Sequence, residues 1–368
     1  MPNLFSRVTC LVSLFVPVLC AASDGLKYVT FAGQPTLPNG EYQWTYNKSG
    51  EPQRFAGGEA IRLVSDAGKT WEGMCGVRLL FDGLSSNNPQ LNTSDGDSVI
   101  GWTNPVGGPN SYGVAYPHFA SGSIIDADVF LHPDNSKQSL QFLQGVITHE
   151  LGHVLGLQHS TNQVSIMAGT NLSDGTPTGV RYIPEPAMRF LQDDDTQGCR
   201  RLYGATHPVR TFPWKDDGVT EYYVLSGDRY FYSSSIADRN TIERTGMSNP
   251  LIRTGYEFVA WNETNKPTAA VAVRRFFVAS LGSHVFTLKS SEIDALRANP
   301  NVFVDEGVAF FAVPPASSGA CPAGLTAVSR LYNGRTDGNH RYVVRSSTKT
   351  KMTRSGWRDE GVAFCVQS

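Results

Sequence analysis

The sequence predicts an α+β chain of two folded parts: a mixed sheet-and-helix part in the first half and a mostly β part in the second. Three observations carry this. The first half alternates strand-like and helix-like stretches, and one helical stretch runs into His149-Glu150-Leu151-Gly152-His153-Val154-Leu155-Gly156-Leu157-Gln158-His159. The second half repeats itself, with Glu306-Gly307-Val308-Ala309-Phe310 recurring as Glu360-Gly361-Val362-Ala363-Phe364. Between them, Ala205 to Gly218 holds Pro208, Pro213 and a short charge run, a composition that suits a linker. At 368 residues the chain has room for two domains with cores of their own. Only 17% of residues are charged and the net charge is −2, which leaves no basic surface for nucleic acid or an anionic membrane.

In chain order, residues 1–22 read as a secretory signal: Arg7, an apolar stretch from Val8 to Leu19, then Cys20-Ala21-Ala22 as a small-residue cleavage site. The apolar run is too short for a membrane span. A secreted protein is expected, ahead of a periplasmic one, and a lipid anchor on Cys20 is disfavoured because bulky Leu19 precedes it. Glu41 to Tyr46 reads as a strand, Gly58 to Glu72 has helical spacing, and Val77 to Phe81 alternates as a half-buried strand. Asn87 to Asp97 is polar and contains glycine, hence a loop, and Gly113-Val114-Ala115-Tyr116 and Asp126 to Leu131 read as two further strands.

The histidine segment carries the chemistry. Positions i and i+4 of an α-helix share a face, so His149 and His153 can hold one metal ion while Glu150 reaches toward a water beside it. Gly156 permits the left-handed backbone that ends a helix and turns the chain, which returns His159 as third ligand. Three protein ligands leave a fourth position open, the mark of a catalytic rather than a structural zinc. The chemistry expected is peptide-bond hydrolysis, with Glu150 as general base.

With these residues the first half resembles the metzincin zinc proteases, and among them the matrixins. The resemblance rests on His159-Ser160, on Ser165-Ile166-Met167 at the distance of the family's methionine turn, and on the run from Leu191 to Gly204 with its acidic pair and terminal Leu202-Tyr203-Gly204. It covers roughly Tyr42 to Gly204. It implies that Met167 forms a hydrophobic floor beneath the ion and that Asp194 and Asp195 support that turn. It also implies that Gly113 to Tyr116 is an exposed sheet edge that binds protein or peptide substrates in extended form. The chain departs from the family at one place. Matrixins usually carry a second, structural zinc at this strand pair, but Asp128 stands where a histidine is expected and His118 is offset by one, so a single Zn2+ is expected. Asp95, Asp97, Asp126 and Asp128 supply oxygens of the kind Ca2+ takes, which makes calcium a second candidate ion. The zinc-blocking cysteine of a matrixin propeptide is not recognisable between Ser23 and Tyr42.

Removal of the signal leaves Cys75, Cys199, Cys321 and Cys365, an even number that implies disulfides in an exported chain. Of three pairings, the one that keeps each bridge inside a domain joins Cys75 to Cys199 and Cys321 to Cys365. Beyond the linker, aromatic stretches recur with a period near 50 residues. Tyr222-Tyr223 precedes Arg229 to Tyr232, Phe276-Phe277 precedes His284 to Thr287, and Leu331-Tyr332 precedes His340 to Val343. Glu257 to Trp261 is a looser first copy of the Glu-Gly-Val-Ala-Phe run. A unit repeated three times buries its face against its copies, and short aromatic strands with one short helix per repeat, around Ser291 to Ala298, are expected. This half resembles a repeat of unknown function that accompanies secreted bacterial hydrolases. His284 and His340 stand apart from other ligand types and are read as structural or glycan-contacting.

The organisation expected is therefore a signal at 1–22, a matrixin-like zinc protease domain at 23–205, a linker at 206–215 and a three-repeat β-rich domain at 216–368. The function expected is that of a secreted, monomeric zinc endopeptidase, with the repeats as a module for cell wall or surface glycan. The competing reading is a lapsed metzincin-like binding protein, against which the presence of Glu150 weighs.

Overall fold

The computed structural model describes residues 27–91, 94–103, 112–162, 164–169, 190–207, 218–244 and 251–368, with the side chains of 243 and 244 left aside. The signal segment 1–22 and all of the linker beyond residue 207 lie outside the described residues. The chain divides into two compact units, one up to Val209 and one from Arg210 onward, the latter also taking in Gly57–Arg62 and Leu80–Gly83.

The first unit runs β1 (Val29–Thr30), β2 (Glu41–Asn47), α1 (Glu59–Glu72), β3 (Arg78–Leu84), β4 (Val99–Trp102), β5 (Gly113–Ala120), β6 (Ser123–Leu131), α2 (Leu140–Val154), β7 (Leu157–Gln158) and α3 (Asp193–Tyr203). Five strands form one sheet in the order β3-β2-β4-β6-β5. β2, β4 and β6 are mutually parallel, and β5 lies antiparallel to β6. Central β4 is buried at every position, as a strand covered on both faces must be. Its four residues are too few to show a period in the sequence. The indole N–H of buried Trp71 on α1 donates to the Thr148 carbonyl of α2 at 3.0 Å, fixing the two long helices to one another. Cys75, just past α1, is bonded to Cys199 of α3.

The second unit repeats the order strand, strand, helix, strand three times. The first set is β8 (Gly218–Val224), β9 (Arg229–Ser233), α4 (Ile236–Arg244) and β10 (Leu251–Val259). The second is β11 (Val271–Val278), β12 (Ser283–Thr287), α5 (Ser290–Arg297) and β13 (Phe303–Ala312). The third is β14 (Leu325–Tyr332), β15 (His340–Val343), α6 (Ser346–Arg354) and β16 (Arg358–Gln367). The aromatic stretches matched in the sequence are the paired first and second strands, in one register: Tyr223↔Tyr230, Phe277↔His284 and Tyr332↔His340. Tyr232, Phe286 and Tyr342 meet in a triangle of rings with centroids 5.4 to 5.6 Å apart. Phe258, Phe310 and Phe364 form a second triangle at 5.4 to 6.0 Å. Each copy contributes one ring to each triangle, and the two triangles pack on one another through Tyr342–Phe364 at 5.7 Å and Phe286–Phe310 at 6.3 Å, so the core is shared by all three copies.

The triangles also correct the loose match at Glu257. Phe258, not Trp261, is the counterpart of Phe310 and Phe364, and Gly255, Gly307 and Gly361 share a left-handed backbone at φ 87, 95 and 89°. The first copy of the motif is therefore Thr254-Gly255-Tyr256-Glu257-Phe258, with threonine in place of the glutamate, a substitution that hid the register. Cys321 is bonded to Cys365, so both disulfides join the cysteines paired in the sequence reading.

Candidate metal centre

Three different routes bring the three histidines to one point. Ser139 caps α2 by accepting from the Phe142 N–H at 3.0 Å, and the helix then carries His149 and His153 one turn apart. It stops at Leu155, and Gly156 turns the chain at φ 92°. No side chain fits there, since a Cβ would lie 2.7 Å from the Pro35 carbonyl oxygen. The chain leaves the turn as β7, paired with β1 through Thr30↔Leu157 and Val29↔Gln158, and so delivers His159. The Tyr203 hydroxyl, from the closing helix, donates to the Leu155 carbonyl at 3.0 Å and holds the turn from behind.

The ligand nitrogens of His149, His153 and His159 lie within 4.8 Å of one another, and among the described residues no other group of three or more such side chains is so placed. The Nδ1 of His149 lies 2.7 Å from the Ile166 carbonyl oxygen and that of His153 2.8 Å from the Leu157 carbonyl oxygen. A carbonyl only accepts, so both Nδ1 atoms carry the proton and both Nε2 atoms present lone pairs. Those two Nε2 atoms are 3.2 Å apart. Two lone pairs converging at that distance, with a third imidazole beside them, are a donor set that fits a cation, and three neutral nitrogens suit zinc.

Burial, with help from neighbouring His159, lowers His149 to about 4. Burial followed by His149 and His159 puts His153 well below the usual imidazole range, and burial alone lowers His159. All three are thus held in the neutral form that a metal requires. Burial raises Glu150 to about 8, opposed by the Ala115 N–H. A divalent cation beside this carboxyl would favour its charged form.

Behind the histidines, the Ser160 N–H donates to the Met167 carbonyl at 2.7 Å and the Ala168 N–H to the Ser165 carbonyl at 3.1 Å, closing a turn around Met167. Met167 is buried, its sulfur packed against the bare Cα of Gly152 on α2. Buried Asp195 accepts from the Ser165 hydroxyl, the Ile166 N–H at 3.0 Å, the Met167 N–H at 3.1 Å and the Gln192 N–H at 2.8 Å. Asp194 accepts from the Lys27 N–H and the Ser160 hydroxyl, both at 2.6 Å. Both aspartates lie in the first turn of α3, where the helix dipole favours negative charge. Asp195 thus orders the segment whose Ile166 carbonyl orients His149. The duties of the Ile166 and Leu157 carbonyls are not legible in the sequence, because main-chain groups leave no residue signature.

β5, with Gly113, Val114, Ala115 and Tyr116 at its start, is the last strand of the sheet, paired to β6 from Gly113↔Leu131 to Ala120↔Ser123. The aspartates considered for calcium serve the loop before β4. Asp126 accepts from the Ser98 hydroxyl at 3.0 Å and the Asp95 and Gly96 N–H groups at 3.1 and 3.3 Å. Asp128 accepts from the Val99 and Gln90 N–H groups at 2.6 and 2.9 Å, and Asp95 from the Asp97 N–H at 2.9 Å. In the second unit, His284 lies 3.3 Å from Glu306, and His340 lies 3.4 Å from Glu360.

A helix bearing two imidazoles and a carboxylate, a glycine turn that delivers a third imidazole and a methionine turn behind them define the metzincin class. Residues 40–204 match the family model described as Matrixin, which supports a matrixin-like metzincin catalytic domain in this part of the chain. Residues 219–367 match a model described as a domain of unknown function (DUF5648). The chain is 28% identical to matrix metalloproteinase-20 of Homo sapiens over 190 residues, 50% of this chain and 36% of the relative. It is likewise 28% identical to metalloendoproteinase 2-MMP of Arabidopsis thaliana over 192 residues, 49% and 46% of the two chains. Over 59 residues, 16% of this chain and 19% of the relative, identity to matrix metalloproteinase-26 of Homo sapiens reaches 44%. The chain spans less than half the length of each of these relatives.

Proposed function

We propose that the protein is a secreted zinc endopeptidase that hydrolyses peptide bonds with Glu150 as general base. The observation that carries this is the convergence of His149, His153 and His159, with buried Glu150 next to His149 in the chain. When bound, zinc supplies Lewis acidity, making water nucleophilic near neutral pH and polarising the scissile carbonyl. Glu150 accepts the proton of the attacking water and passes it to the leaving amine. The peptide lies along the edge of β5 as an added strand, so that backbone hydrogen bonds supply affinity and side-chain pockets supply preference. This reading does not depend on calcium; Asp126 and Asp128 accept hydrogen bonds from donors between residues 90 and 99. Two disulfides support an oxidising, extracellular setting. No helix among the described residues is long and apolar enough to cross a membrane.

The test compares the wild type with Glu150→Ala on casein or gelatin. The variant keeps its zinc and loses at least about 10²-fold in rate, the usual contribution of a positioned acid or base, and a zinc chelator stops the wild type. Hydrolysis that survives the substitution or the chelator would overturn the assignment. To residues 216–368 we assign the holding of the enzyme near a glycan or cell-wall surface. Retention of the full chain on purified cell walls, competed by soluble polysaccharide, is the expected result, and its absence removes this role.

A further inference from the structure

We propose that Gly113 and Gly169 are positioning residues of the metal centre, each reserving the space that Glu150 and His159 occupy. What Glu150 does there rests on the hydrolytic reading above, whereas the placement of His159 does not. Gly113 opens β5 in ordinary extended pairing with Leu131, so its backbone would accept any residue. A Cβ there, however, would lie 2.9 Å from Cγ and 3.1 Å from Oε1 of Glu150, and 2.8 Å from Cγ1 of Val146. Carbon atoms in contact prefer 3.5 to 4.0 Å. Val146 is β-branched and stiff within α2, so the group that yields is the Glu150 side chain.

Gly169 is still more constrained. A Cβ at this position would lie 2.3 Å from Cβ and Cγ of His159 and 2.6 Å from its Nδ1. The strand-like bridge between Ser160 and Ala168, and the Ser160 N–H to Met167 carbonyl bond, keep the two segments from separating. Any side chain at 169 therefore displaces the third ligand. The two glycines make separable contributions, one to the base and one to the metal.

The experiment uses the full mature chain as wild type, Gly113→Ala, Gly113→Ala/Val146→Ala and Gly169→Ala. It measures zinc affinity by chelator competition together with kcat and KM on a quenched peptide. Gly113→Ala should bind zinc and substrate within about twofold of the wild type and lose at least tenfold in kcat, since a misplacement near 1 Å costs on the order of 10²-fold. The added Val146→Ala should restore part of the loss by making room on the other side. Gly169→Ala should lose tenfold or more in zinc affinity, the range seen when a ligand's support is removed. A Gly113→Ala enzyme with unchanged kcat, or with zinc affinity falling in step with kcat, would overturn the first half. So would a loss that Val146→Ala leaves as it was. Zinc affinity unchanged in Gly169→Ala would overturn the second. To separate a displaced ligand from general misfolding, unfolding midpoints of the metal-free proteins are compared in a cycle with His159→Ala. The Gly169→Ala destabilisation should largely vanish once the ring is gone, and an equal loss in both backgrounds would refute the contact. Should the wild type hydrolyse nothing, the hydrolytic reading fails, and the zinc and midpoint measurements still decide on Gly169.

Discussion

Asp195→Ala removes one carboxylate from beneath the methionine turn and leaves several donors without their acceptor. In the intact protein Asp195 is buried and accepts from Ser165, Ile166, Met167 and Gln192. Two of these can be satisfied again: the Ser165 hydroxyl rotates, and the Met167 N–H already points at the Ser165 oxygen at 3.0 Å. The Ile166 and Gln192 N–H groups have no such substitute; the buried Ile166 orphan costs about 1 to 3 kcal/mol and the half-buried Gln192 one stays at the low end of that range. The loss is thus about 3 kcal/mol, which for a domain of this size lowers the unfolding midpoint by roughly 9 °C. Because the Ile166 carbonyl fixes the His149 ring, zinc affinity should fall together with stability, by about 10- to 100-fold. Circular dichroism melts of the metal-free variant and zinc competition titrations read the two effects. Asp195→Asn, with one acceptor left, should fall between. A midpoint within 2 °C of the wild type, or unaltered zinc affinity despite lowered stability, would refute the linkage from Asp195 through Ile166 to His149.

Other expectations concern the disulfides and the loop aspartates. Cys75–Cys199 closes 124 residues and Cys321–Cys365 closes 44. In the chain-entropy account these are worth roughly 5 and 4 kcal/mol, so pairwise replacement by serine should lower the melting of one unit at a time. Loss of both transitions from either double variant would contradict this. Burial, reinforced by Asp126 and Asp95 against the Val99 and Gln90 donors, raises Asp128 to about 7. A carboxyl raised from its unfolded value near 3.9 stabilises the fold fully below that value, and its contribution is lost as pH rises through about 7. The midpoint of the wild type should therefore fall relative to Asp128→Asn between pH 5 and 8, and parallel curves over that window would exclude the effect.

The parts of the site that were legible in the sequence are those fixed by local periodicity. Helical spacing alone sets His149 and His153 on one face, and Gly156 announces the turn before His159. The pairing of four cysteines followed from the domain boundary, and the strands of the repeats followed from their matched aromatic residues. What was hidden depends on contacts between distant segments. β1 and β7 are two residues each and exist only because Val29–Thr30 meets Leu157–Gln158. The carbonyls that orient His149 and His153 belong to Ile166 and Leu157, whose side chains say nothing about that duty. Sequence shows the loop carboxylates Asp126 and Asp128 as acceptors but not the donors between residues 90 and 99 that they hold. In the first repeat, Thr254 stands in the glutamate position, and only the ring triangle through Phe258 reveals the true register.

The claim on which the rest depends is that three imidazoles hold one zinc and leave a place for water. X-ray absorption at the zinc edge, with metal counting on the purified mature protein, measures this directly. One zinc per chain is expected, with three nitrogen neighbours at about 2.0 to 2.1 Å and a single light-atom neighbour that inhibitors displace. A chain without zinc, or an ion closed by a fourth protein ligand such as a cysteine sulfur, would contradict the account.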